Sequence, residues 1–284
     1  MAGLDQAAAL AVIGKNIEQY GHHKYVIAGG SLPRFVYTIG LSVSAGYELI
    51  MCGSSFYTDM EVVRIMDAAQ ARVLELPPLE IPTATFSVDK LGTFSVLVVD
   101  VSWCQALLLG ALDYYKVGFI NTLQIVPDKE HWTIDVPDLS RPFDAEDQPV
   151  WRWLNQDWLL PVPAKSSAVT NLDALLGQVL TEVARWEPDQ WEMFAGAGPD
   201  VVSEDIRVVP LCVLVGNDDS LHKIVSTLGV GEAVWRRRRE SLASLDCERE
   251  LDATDFWIFA VDQSCGSLAI RSVSYVWDHA PLAQ

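Results

Sequence analysis

Basic residues are scarce in this chain. Lysine and arginine number 20 against 38 aspartates and glutamates, giving a formal net charge of −18 and a pI near 4.5. Such a surface repels phosphates and anionic lipid, which argues against binding nucleic acid or membrane. It suits a basic protein partner, although plain solubility of a cytosolic protein is the simpler account of the charge. Cysteine is sparse too. Cys52, Cys104, Cys212, Cys247 and Cys265 are odd in number, far apart and without a Cys-x-x-Cys pair. That argues against a disulfide framework and a zinc ribbon and leaves reduced thiols as the simplest account. Long apolar runs are missing. The most apolar window, 94–112, is interrupted by Asp100, Ser102 and Gln105, so it reads as strand then helix and not as a membrane span. The first residues lack the basic n-region of a signal peptide, and a cytoplasmic location is expected. No glycine-rich phosphate loop follows a strand, and no Gly-x-Ser-x-Gly or His-x-x-x-His occurs. No cofactor and no metal site is expected.

What is present is a full-sized core. Of 284 residues, 50% are hydrophobic and 20% charged, a globular composition large enough for one or two domains. Ten tryptophans are present, concentrated between Trp132 and Trp191, and that stretch should carry its own packed cluster. Apolar residues from Leu4 to Tyr20 recur at helical spacing, and Gly21 closes that helix. Tyr25–Ala28, a Gly29-Gly30 turn and Phe35–Ile39 read as an antiparallel hairpin, with Glu48–Cys52 as a third strand. Thr58 and Glu61 form a capping box for a helix that ends before Pro77. Thr83–Val88 and Thr93–Val101 read as strands. Ser102 and Gln105 offer a second capping box for a helix to Tyr115, and Phe119–Val126 is a strand.

The pattern predicts an α+β fold with a mainly antiparallel sheet flanked by helices, over residues 1–128. Residues 129–168 form a Trp- and Pro-rich connector expected to pack on that domain. Residues 169–284 form a smaller α+β unit. In it, Val179–Trp186 and Trp191–Phe194 make a hairpin about Glu187–Gln190. Arg207–Val215 is either a strand or a short buried helix, with Pro210 weakening a central strand. Ser220–Leu228 is a helix, and Phe256–Val261 and Leu268–Val276 a final strand pair. Arg236–Arg239 reads as the exposed face of a short helix paired with Glu240, Glu248 and Glu250, or as a phosphate or acidic-partner site.

Phe35-Val-Tyr-Thr-Ile-Gly-Leu41, Tyr47-Glu-Leu-Ile50, Tyr114-Tyr115, Leu123-Gln-Ile-Val-Pro-Asp128 and Gln148-Pro149 follow one another in an order and spacing similar to those of a bacterial family, domain of unknown function 4262. The resemblance covers roughly residues 10–152. Tyr47 stands where the family has a proline, and Val126 where it has a tryptophan. The second half, with Trp186–Phe194 and Val208–Leu211, loosely resembles tails of bacterial proteins found near toxin–immunity loci. Neither resemblance implies a catalytic residue.

The residues themselves offer one candidate site. Tyr37 and Thr38 interrupt an apolar strand, one facing each side of the sheet. With Glu48, Tyr114, Tyr115, Gln124 and Asp128 they could line a polar pocket for a small ligand or an anion. The more ordinary reading of the same residues is a buried hydrogen-bond network. His22 and His23 are adjacent, and neighbours on a strand point to opposite faces and rarely share a metal. His131, His222 and His279 are isolated and expected at the surface. Cys104 opens a helix and is either an activated thiol or a buried small apolar residue. Two functions follow as expectations. One is a non-enzymatic acidic protein, immunity- or antitoxin-like, that binds a basic protein partner. The other is an enzyme or small-ligand sensor built on the Tyr37-Thr38 pocket.

Overall fold

The computed structural model describes residues 2–236 and 257–260, apart from Pro78 and Ala197. Helix α1 (Ala2–Tyr20) leads into β1 (His23–Ile27), β2 (Phe35–Ile39), α2 (Leu41–Ala45), β3 (Glu48–Cys52) and α3 (Asp59–Glu75). Then come β4 (Thr85–Val88), β5 (Gly92–Val98), α4 (Val101–Leu107), α5 (Leu109–Tyr115) and β6 (Thr122–Pro127). The second half contains β7 (Ser167–Asn171), α6 (Leu172–Leu175), β8 (Glu182–Glu187), β9 (Gln190–Phe194), β10 (Ile206–Pro210), α7 (Leu211–Asn217), α8 (Ser220–Thr227), β11 (Glu232–Arg236) and β12 (Trp257–Ala260).

The strands form two sheets, ordered β1-β2-β3-β6-β5-β4 and β10-β7-β9-β8-β11-β12. All pairings are antiparallel except β3–β6 and β7–β9. The fold is α+β, with mostly antiparallel sheets flanked by helices. The period-2 alternation of β2 and β3 divides the first sheet between two cores. Val36, Leu49 and Met51 face α3, whose Val62, Ile65, Met66, Ala69 and Val73 recur at helical spacing. Phe35, Tyr37, Ile39, Ile50 and Cys52 face the other way, into a core shared with α4, the connector and the buried side chains described in the second half.

Trp151 shows how that second core is closed. It is 1% exposed and lies edge-on to Trp103 of α4, with Phe35 of β2 beside it. Its Nε1–H donates to the Asp135 carbonyl at 3.0 Å. The next residue, Arg152, donates to the Gly216 carbonyl of α7 at 2.8 Å. Arg207 of β10 reaches back to the Phe56 carbonyl with Nε and Nη2, at 2.9 and 2.8 Å. The connector is therefore a seam between the two sheets.

Several expectations need correction. The second capping box does not form: Asp100 is the cap, accepting from the Ser102 amide at 2.9 Å, and Gln105 donates instead to the Gly118 carbonyl. The single helix expected up to Tyr115 is broken at Leu108 into α4 and α5. Helix α2 fills what read as a bare connection between β2 and β3. The stretch 207–215 is both alternatives in succession: β10 is an edge strand, where Pro210 costs no ladder bond to a further neighbour, and α7 follows it buried. Arg236 is not on a helix but ends β11, bonded to Asp218 at 3.3 Å and Ser220 at 2.6 Å. Arg237–Arg239, their expected glutamate partners, His279 and the strand 268–276 lie outside the described residues.

Candidate functional site

Thr38, Glu48 and Tyr115 do come together. The Glu48 carboxylate is wholly buried and accepts four hydrogen bonds: Thr38 Oγ1 at 2.6 Å, the Gly40 and Ser42 amides at 3.0 Å each, and Tyr115 OH at 2.7 Å. Thr38 Oγ1 in turn accepts from the Leu49 amide at 2.8 Å, and Tyr115 OH from the Gly40 amide at 2.6 Å. Among the described residues Glu48 has no ion-pair partner. Its donors come from β2, the turn into α2 and the end of α5, so the group ties the sheet to that helix. Burial, and the neighbouring carboxylate, push the Tyr115 phenol above its ordinary range.

The other candidates are held separately. Tyr37 lies on the opposite side, stacked on Tyr25 at 5.3 Å, and its hydroxyl accepts from the Gly110 amide at 3.1 Å. Tyr114 packs edge-on to Tyr115. Gln124, fully buried in β6, clamps the connector by donating to the Pro137 carbonyl at 2.7 Å and accepting from the Leu139 amide at 3.1 Å. Asp128 sits at the far end of β6, accepting from the Thr93 amide at 2.9 Å and bonded to His131 Nδ1 at 2.5 Å. Burial alone would push its carboxyl up, but the Thr93 bond and His131 outweigh it and hold it low. His131 is thus no isolated surface residue: it is part-buried between Phe56 and Tyr57. His222 is likewise half-buried, its Nε2 3.0 Å from the Val215 carbonyl. Cys104 is fully buried, its thiol 3.4 Å from the Ile120 carbonyl.

A second buried carboxylate escaped the sequence reading. Asp135, on the connector, accepts from Ser55 Oγ at 2.6 Å, the Ser55 amide at 3.3 Å and Thr133 Oγ1 at 2.5 Å. It is fully buried; burial, then the Asp135 charge, pushes the thiols of Cys52 and Cys212 up, which disfavours the thiolate. The only local signal is the hydroxyl two residues before it, in Thr133-Ile134-Asp135; Ser55 lies in a different part of the chain.

A cleft of about 430 Å³ is lined by Asn16, Tyr20, His22, His23, Lys24 and Asp67. A Cβ added at Gly40, whose amide bonds Glu48, would lie 3.2 Å from His22 Cα. Asn16 Nδ2 lies 2.9 Å from His23 Nδ1, Gln70 Nε2 lies 3.0 Å from His22 Nδ1, and Lys24 pairs with Asp67. Burial, then Lys24, lowers the pKa of His22; burial, then His22, lowers that of His23. The folded state therefore prefers both rings neutral, and the unfolded chain binds protons first. Stability is present above the unfolded value of roughly 6.5 and is lost as pH falls through the lower folded values. In thermal denaturation from about pH 7 to about pH 5, His22→Gln/His23→Gln should lose less Tm than the parent; equal slopes would refute this.

Among the described residues no group of three or more His, Cys, Asp or Glu side chains is placed to hold a metal ion, and no helix is long and apolar enough to cross a membrane. No curated protein and no solved structure matches the chain. Residues 16–132 match the model of a family described as domain of unknown function (DUF4262). The matched stretch runs from α1 through β6 to Trp132 and contains Glu48 with all four of its donors, so it is in this stretch that the chain is similar to that family.

Proposed function

We propose that the protein is a non-enzymatic acidic binding protein of the cytoplasm, immunity- or antitoxin-like, whose partner is a basic protein. The observation that carries this reading is where the polar chemistry goes. The Glu48 carboxylate, the Gln124 amide and the Asp135 carboxylate are all engaged by donors and acceptors of the chain itself. Groups so engaged rigidify a core and have little capacity left for a substrate. The chain as a whole carries a formal net charge of −18, which steers a cationic partner and repels nucleic acid. The test is recovery of the protein from its producing cells, followed by native mass spectrometry across a salt series. A basic protein partner released as salt rises past about 0.15 M is expected. Recovery without one, with no toxin encoded beside the gene, overturns the reading.

One observation favours the second reading, an enzyme or small-ligand sensor. The His22–His23 cleft opens beside the Glu48 network, and Gln70 Oε1 beneath it is buried without a hydrogen-bond partner among the described residues. A small-molecule adduct in the native mass spectrum, lost in His22→Gln, would favour it.

A further inference from the structure

The sheet of the second half has two unlike faces. Its inner face, with Ala168, Val183, Trp191, Met193 and Val234, lies in the shared core, where the buried side chains of α6, α7 and α8 also sit. Strand register defines the outer face. Val208 stands opposite Val169, Val169 beside Glu192, and Glu192 opposite Ala184. In the next row Glu182 stands opposite Trp235. Trp186 occupies the bulge of β8 on the same side, and its Nε1–H reaches Glu192 Oε2 at 3.2 Å. Val208, Trp186 and Trp235 are 55%, 46% and 42% exposed.

Two carboxylates therefore stand beside exposed tryptophans, Glu192 by Trp186 and Glu182 by Trp235, with Glu182 Oε2 also accepting from the Gly198 amide at 2.9 Å. Neither has an ion-pair partner among the described residues. The nearby cations are turned elsewhere: Arg185 lies over Trp191 and bonds the Leu228 and Pro188 carbonyls, and Arg207 bonds the Phe56 carbonyl. Burial pushes the Glu192 carboxyl up, and Glu182 adds to it against the Trp186 bond. A half-desolvated carboxylate without a cation costs stability. The same arrangement, closed over by a guanidinium, gives a desolvated charge pair flanked by aromatic faces, the kind of contact that dominates interfaces.

We infer that the outer face of this sheet is the docking surface for the partner, and that it takes a basic segment whose arginine or lysine side chains reach Glu182 and Glu192 between Trp186 and Trp235. The inference rests on the acidic-binder reading and adds the place and chemistry of contact. The probe is a short peptide alternating arginine and valine, with a serine–valine peptide as control, titrated by calorimetry against the full chain. Neutralising the face in Glu182→Gln/Glu192→Gln should weaken arginine-peptide binding roughly tenfold or more. Removing the same charge elsewhere, at the exposed Glu18→Gln/Glu80→Gln, should change it less than about twofold. Circular dichroism checks folding, and Glu192→Gln alone should raise Tm at neutral pH, with the gain vanishing as pH falls into the carboxylate range.

Equal weakening by both pairs overturns the surface but leaves an acidic binder. No preference for the arginine peptide by the parent overturns the surface as well. Hydroxyl-radical footprinting of the free protein supplies the last arm. Trp186 and Trp235 should be labelled there and protected by the peptide. Protection without peptide means that the chain's own remaining residues or a second copy cover the face, and overturns the inference.

Discussion

Gly53→Ala should lower the stability of the protein by about 2–5 kcal/mol in urea unfolding, at unchanged m-value. Gly53 turns the chain out of β3 with φ of 62°. A side chain there costs about 1–2 kcal/mol for the left-handed backbone alone. The larger part comes from contact. A Cβ at this position would lie 2.0 Å from the Asp135 carbonyl oxygen, the atom that accepts from Trp151. Backbone cannot yield as a flexible side chain can, so the connector must shift, at roughly 1–3 kcal/mol. Gly30→Ala is the matched control. It has φ of 85° and open space around it, and should cost only the backbone part. Equal losses in the two variants would mean that the connector does not press on the turn after β3.

Glu48→Leu should cost about as much, roughly 3–5 kcal/mol, because it leaves buried donors facing a hydrocarbon. Four donors lose their acceptor: Thr38, Tyr115 and two backbone amides. The hydroxyls can turn toward other acceptors, while the Gly40 amide keeps only Tyr115 OH and the Ser42 amide keeps nothing in place. Glu48→Gln should cost less, roughly 1–2 kcal/mol, since one amide oxygen can still take the two backbone donors and the Thr38 hydroxyl can rotate to accept. Leu losing no more than Gln would show that the network contributes little to folding. Loss of a ligand response in Glu48→Gln at unchanged stability would restore a pocket role for these residues.

Much of the fold was legible because its signals are local. The Thr58–Glu61 capping box needs only four consecutive residues, and both of its bonds form. The hairpin about Glu187–Gln190 and the Gly29-Gly30 turn are written in turn chemistry and alternation. The misread capping box at Ser102 had a rival two residues earlier, and Asp100 is the better acceptor. Strand β11 has only five residues and no strict alternation, and it exists because β8 offers an edge beside it.

The candidate site was legible in part. Tyr37 and Thr38 stand where alternation predicts, one on each side of the sheet. Glu48 and Tyr115 meet Thr38 in space, each within hydrogen-bond reach of the same carboxylate network. Gln124 and Asp128 were grouped with them because all are polar residues of one stretch of chain. Their partners are Pro137, Leu139 and His131, whose positions depend on how the connector returns across the sheet. Asp135 and Ser55 are 80 residues apart in sequence, and no period or turn rule joins them.

Trp151 has one more consequence, for how such a chain could have been assembled from parts. The matched segment ends at Trp132, yet Trp103 and Phe35 within it are covered by a residue beyond that end. A gene that kept only the segment would encode a protein with an apolar wound on one face. Some other body would have to close it, and a sister copy is the nearest one to hand. In this chain the connector closes it with Trp151, so the matched segment and the residues after it would have to be inherited together.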